Sequence, residues 1–139
     1  MSDITKLITN TVFSETKDPD DATAITWVIR NRLAKPKRFG DTIEKVVYAP
    51  HQFSGVNTEE WNKAVKQKFT SEERAIYNRT NAIVTGVWGD IIPDPTGGAD
   101  HYYNPAISKP NWGKIYPVTY TGKEHLFLKE VPIKKKEKK

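Results

Sequence analysis

The chain has no cysteine. That absence removes disulfides, thiol nucleophiles and thiolate metal sites together, and it leaves the redox compartment open. A long apolar run is missing too. The stretch from Met1 to Asn10 carries an early Asp3 and broken hydrophobicity, which suits neither a secretory signal nor a membrane span. Histidine is scarce: His51, His101 and His125 lie in separate segments without metal-motif spacing, so no metal and no cofactor are expected. The serines have no nucleophile-elbow context. Gly97-Gly98 lacks the lysine and the strand-to-helix setting of a phosphate loop.

What is present suits one folded unit. The length of 139 residues, with 37% hydrophobic and 11% aromatic residues, supports a single core over residues 1–132, followed by a basic tail at 133–139. The 22 Lys+Arg against 17 Asp+Glu give a net charge of +5, which favours polyanionic partners: nucleic acid, anionic lipid or a bacterial wall. Much of the excess sits in Lys134, Lys135, Lys136, Lys138 and Lys139, a run that reads as a solvated terminus first and an anchoring patch second.

Apolar spacing predicts the helices. Ile4, Leu7, Ile8 and Val12 recur at three- and four-residue steps in a helix ending near Glu15, and Ile25, Val28, Ile29 and Leu33 do so from Pro19 to Ala34. Residues 35–40 break the pattern. Short helices are expected around Ile43–Val47 and Trp61–Val65, and a longer one from Ser71 to Val87. Beyond Asp90 the prolines, glycines and aromatic residues predict a long ordered loop, and residues 118–128 a strand pair about Gly122. The fold class expected is α+β and predominantly α.

Several segments could carry chemistry. Glu15 stands where an apolar helix meets a polar turn, so its carboxyl can be partly desolvated yet still reach a substrate; burial raises a carboxyl pKa and suits it to general-acid work. An ordinary exposed Glu at a helix end has the same local appearance. His51, Gln52, Phe53, Ser54 and Asn57 suit a carbohydrate subsite or a plain loop. The run His101-Tyr102-Tyr103-Asn104, followed by Trp112, is more specific: flat aromatic faces stack on sugar rings while Asn and Tyr tips bond to hydroxyl or N-acetyl groups. An aromatic loop packed on the core is its plain alternative.

Taken together, Phe13-Ser14-Glu15-Thr16, the Ala24–Leu33 helix, Arg38-Phe39-Gly40-Asp41-Thr42-Ile43, Val46–Ser54, Asp94–Ala99, His101–Pro105, Trp112, and His125 with Phe127 resemble the SleB-like cell-wall hydrolases, the family of spore cortex-lytic catalytic domains. The resemblance covers nearly everything but the lysine tail. It implies a lysozyme-like helical core with a small C-terminal β-hairpin element and a cleft holding Glu15. It also implies a lytic transglycosylase that cleaves between N-acetylmuramic acid and N-acetylglucosamine and forms 1,6-anhydro ends, with Glu15 as acid and base. Gln52, Phe53, His101, Tyr102 and Tyr103 match motif positions expected to bind substrate; Asn31 and Arg32 match the polar end of the family's second helix, where they either bind substrate or support the cleft wall, while His125 is expected to hold the strand pair. The chain departs from the family between Lys17 and Asp21, where a proline and three aspartates replace a glycine-containing turn.

Two other classes compete. A hydrolytic muramidase would recruit Asp18, Asp20, Asp21, Asp41 or Asp100 to orient water. A non-catalytic wall-binding or virion structural module would keep the aromatic loop and tolerate loss of Glu15. Nucleic-acid binding has no motif behind it, because the aromatic residues are not interleaved with the lysines. The expected partner is therefore the peptidoglycan glycan strand, with no nucleic acid, no stable membrane insertion and a monomer assumed. Without a signal peptide, the expectation is a phage endolysin or virion-associated lysin made in the host cytoplasm.

Overall fold

A computed structural model of the chain describes residues 3–48 and 58–131. Gln52 and Phe53, with His51, and the tail at 133–139 lie outside them. Helix α1 runs Asp3–Glu15, α2 Pro19–Leu33, α3 Pro36–Phe39, α4 Ile43–Val47, α5 Glu59–Lys66 and α6 Ser71–Trp88. Strands β1 (His101–Tyr103), β2 (Val118–Thr121) and β3 (Leu126–Leu128) complete the order.

The helix ends follow from side-chain chemistry. Asp18 caps α2, its carboxylate accepting the Asp21 N–H at 2.9 Å, with Pro19 pre-set in the first turn and Arg30 and Arg32 in the last. Pro19 therefore starts a helix four residues after Glu15. At α6, Thr70 and Glu73 form a reciprocal capping box. The expected break at 35–40 holds a one-turn helix instead: Pro36 opens α3, and Gly40 closes it at φ +121°, a left-handed conformation open to glycine.

Helix α2 is central, packing against α1, α3, α4, α6 and β1. Its Ala22, Ala24, Ile25, Val28 and Ile29 join Ile8 and Val12 of α1, Val46 and Val47 of α4, Val84 of α6 and Phe127 of β3 in the main core. Each large side chain buried there contributes about 1.5–3 kcal/mol. One step further along α1, Phe13 points to a second cluster with Ala64 and Tyr77. So α1 is gripped on two sides just before Glu15.

The sheet is antiparallel, in the order β1-β3-β2. The strand pair expected at 118–128 is present, with Tyr120 opposite Phe127, but β3 also pairs with β1 through Tyr102↔Phe127. β1 falls inside the stretch expected to be loop. Three residues are too few for a period-2 signal, and its strand character comes from β3 alone. No helix among the described residues is long and apolar enough to cross a membrane.

Candidate active site

Glu15 ends α1 half-buried, and the Tyr102 hydroxyl donates to its Oε1 at 2.7 Å. The two residues stand 87 positions apart, so this contact joins the first helix to the sheet. Tyr102 is fixed by its cross-strand partner: its ring stacks on Phe127 at 5.6 Å with 27° between planes. Burial, and then the adjacent Glu15 charge, push the Tyr102 phenol well above its ordinary value. It stays protonated and remains a donor.

Around this pair opens a cleft of about 580 Å³, a usual size for a ligand site. Ser14 and Glu15 from the end of α1 line it, together with Tyr102 and Tyr103 of β1 and the following Asn104. A lip carries Ile107, Pro110 and Trp112, and the β2–β3 turn contributes Glu124 and His125. Trp112 meets Tyr103 edge-on at 5.6 Å and lies parallel to Tyr116 at 6.1 Å. Ile107, at 81% exposure, offers the lip an apolar face with nothing packed over it.

Five of the residues expected from sequence therefore meet at one cleft: Glu15, Tyr102, Tyr103, Asn104 and Trp112. Two do not. Strand alternation turns His101 away from Tyr102, and it is buried between Phe39, Trp112 and Tyr116, its Nδ1 2.9 Å from Asp100. Asn31 is a clasp: its Nδ2 donates to Asp94 Oδ2 at 3.1 Å and to the Ala99 carbonyl at 2.9 Å, fixing the 94–99 loop on α2. Gln52 and Phe53 lie outside the described residues.

Four of the five aspartates named as water-orienting candidates, Asp18, Asp21, Asp41 and Asp100, are bonded elsewhere. Asp18 caps α2, Asp41 pairs with Lys45, and none of the five lines the cleft among the described residues. Asp100 is fully buried, and although burial alone pushes its carboxyl up, bonds from His101, Lys35 and the Glu130 N–H outweigh that and hold it well below the carboxylate range. Beside it, burial lowers the Arg32 guanidinium to about 10, with Tyr102 and Asp100 opposing the shift, while Arg32 Nε donates to the Asp100 carbonyl.

Sequence reasoning missed Glu124, the second carboxyl group lining the cleft among the described residues, and the place of His125 in its lining. Both are set by Asp21. This buried carboxylate accepts the Lys123 N–H at 2.6 Å, the Glu124 N–H at 2.9 Å and His125 Nδ1 at 2.8 Å. Gly122 lets the turn close over it: a Cβ there would stand 2.2 Å from Asp21 Oδ1. Ligand-type atoms of Asp21, Glu124 and His125, and of Asp100, His101 and Glu130, lie within 4.8 Å of one another in each group. Protein N–H groups already occupy the buried carboxylates of both, a donor set that suits ion pairing better than a cation.

Comparison with known proteins adds the family. The catalytic domain of the germination-specific lytic transglycosylase SleB from Bacillus anthracis has the same fold, with a TM-score of 0.72 at 22% identity over 93% of this chain and 97% of that one. No curated protein matches the sequence. The family model described as Cell Wall Hydrolase matches residues 17–128, starting two residues after Glu15. With most of its length covered by that model, the chain belongs to the cell wall hydrolase family.

Proposed function

We propose that the protein cleaves peptidoglycan glycan strands between N-acetylmuramic acid and N-acetylglucosamine, as a lytic transglycosylase with Glu15 as its acid. The observation that carries this is Glu15 itself: a half-buried carboxyl in a sugar-sized cleft, held by a phenol at 2.7 Å and flanked by Tyr103, Asn104 and Trp112. Glu15 donates its proton to the glycosidic oxygen as that bond breaks. The muramic 6-hydroxyl closes on the anomeric carbon and gives up its proton to the enzyme, so that the carboxyl is protonated again by the end of the cycle. No water is consumed, so one carboxylic acid suffices, whereas hydrolysis uses a pair. The structural neighbour is named as a lytic transglycosylase, which supports the same outcome. Trp112 and Tyr103 supply faces for stacking on sugar rings.

Glu124 favours a second reading. Its position in the cleft with Glu15 gives hydrolysis a carboxylate to orient water, in place of the aspartates. We also propose a bacterial wall as the place of action, in phage lysis or wall penetration; the net charge of +5 suits an anionic wall polymer.

Mass spectrometry of the soluble products of purified peptidoglycan separates these outcomes. Anhydro-muropeptides from the wild type and none from Glu15→Gln are expected. Reducing ends would assign the muramidase reaction, and no products from the wild type would leave a binding module.

A further inference from the structure

His125 is placed as more than a clamp on the strands. Its ring is buried to 7% exposure, and its Nδ1 lies 2.8 Å from a carboxylate that is itself fully buried. A carboxylate at that distance fixes the hydrogen on Nδ1 and leaves the Nε2 lone pair free. Among the described residues nothing bonds Nε2, and no buried polar side-chain atom is left without a partner, so Nε2 is open to solvent. The opening it reaches is the cleft, which His125 lines together with Glu15.

The surroundings fit a proton acceptor. Tyr102 joins the two groups: its hydroxyl bonds Glu15, and its ring meets the His125 ring edge-on at 5.3 Å. The charged or titratable groups facing His125 are Asp21 from α2, Glu124 from its own turn and Tyr102 from β1, with Glu15 beyond the phenol. Asp21 and Glu124 both place an oxygen within 4.8 Å of an imidazole nitrogen, where carboxylates stabilise an imidazolium once formed. The orientation is built in, because Asp21 also holds the turn through two backbone N–H groups and Gly122 leaves it room.

The geometry points to His125 as a further catalytic residue, with Asp21 positioning it: Nε2 takes the proton of the hydroxyl that attacks the anomeric carbon. This rests on the proposed glycan cleavage and reassigns one step of it. Glu15 gives its proton to the departing glycosidic oxygen as the C1–O4 bond breaks. The attacking oxygen bonds to C1, and its proton passes to Nε2. The products are a Glu15 carboxylate and a His125 imidazolium, and transfer of that proton through solvent restores both. Acid and base then reside on two groups joined by one phenol.

The test compares His125→Gln and His125→Ala with the wild type, following muropeptide release from purified glycan strands, with and without added imidazole. Gln keeps a polar side chain but cannot take the proton, so kcat should fall by about 10²-fold or more with KM within about threefold. Imidazole should restore part of the rate to His125→Ala, a rescue that a structural role would not show. A folded His125→Gln within threefold of wild type overturns the assignment, as does a folded, inactive His125→Ala that imidazole leaves inactive. Should both variants fail to fold, diethyl pyrocarbonate acylation of the wild type decides: activity should disappear in step with the His125 adduct located by peptide mass, and full activity with that adduct present overturns the assignment. A wild type that releases nothing refutes the glycan-cleavage reading itself instead.

Discussion

Replacing Asp100 with asparagine tests the buried network that ties the sheet to α2 and α3. One carboxylate oxygen accepts from His101 Nδ1 at 2.9 Å and from the Glu130 N–H at 2.8 Å, and the other from Lys35 Nζ at 2.5 Å. Asparagine retains one acceptor but turns an NH2 group toward donors. Breaking a buried ion pair costs about 3–5 kcal/mol. Lys35 is 40% exposed and can be rehydrated, so a smaller cost than that range, about 2–3 kcal/mol, is expected at pH 7. For a domain of this size that lowers Tm by roughly 8–12 °C. The pH dependence identifies the cause. Asp100 is held below its ordinary value in the folded state, so the unfolded chain binds the extra proton first. Its contribution is therefore complete above the unfolded carboxyl value of about 3.9, and it fades as pH falls through the lower folded one. Urea denaturation of both proteins at pH 7 and near pH 2.5 should show the stability gap shrinking with acid. A gap that stays constant across that range would refute the assignment of the stability to the Asp100 charge.

Tyr102→Phe keeps the ring on Phe127 but removes the donor to Glu15; a charge-assisted bond of about 1.5–3 kcal/mol predicts kcat lower by about 10- to 100-fold with Tm nearly unchanged, and a kcat within twofold would contradict it. Gly122→Ala drives a methyl group into Asp21, so the turn must open. Thermal melts should show a loss of about 2 kcal/mol or more, with a weaker KM as Glu124 and His125 move. Trp112→Ala should raise KM for glycan strands by about tenfold if the ring stacks on sugar, whereas an unchanged KM with a lower Tm would assign it to packing against His101 and Tyr116.

The helical half of this fold is legible because its signals are local. Ile8 and Val12 fall on one stripe of α1, and Asp18 with Pro19 writes the start of α2 within a few residues. The sheet is less so. β1 is three residues long and takes its conformation from β3, so no window around His101 contains the cause. His101 and Tyr102 looked equivalent in sequence, yet alternation sends one against Asp100 and the other to Glu15. Asn31 stood out at the polar end of α2, but the partners of its amide, Asp94 and the Ala99 carbonyl, lie more than sixty residues away.

The site obeys the same distinction more severely. Glu15 could be singled out from its place at the end of an apolar helix, but Tyr102 reaches it from 87 residues away, and His125, which shares its cleft, is held by Asp21 across 104. The Lys17–Asp21 segment supplies the cap that starts α2 and, one turn on, the carboxylate that fixes the β2–β3 turn beside the cleft. Glu15 and Asp21 flank the short connection between α1 and α2, and through Asp21 that neighbourhood in sequence brings His125 to the cleft that Glu15 lines.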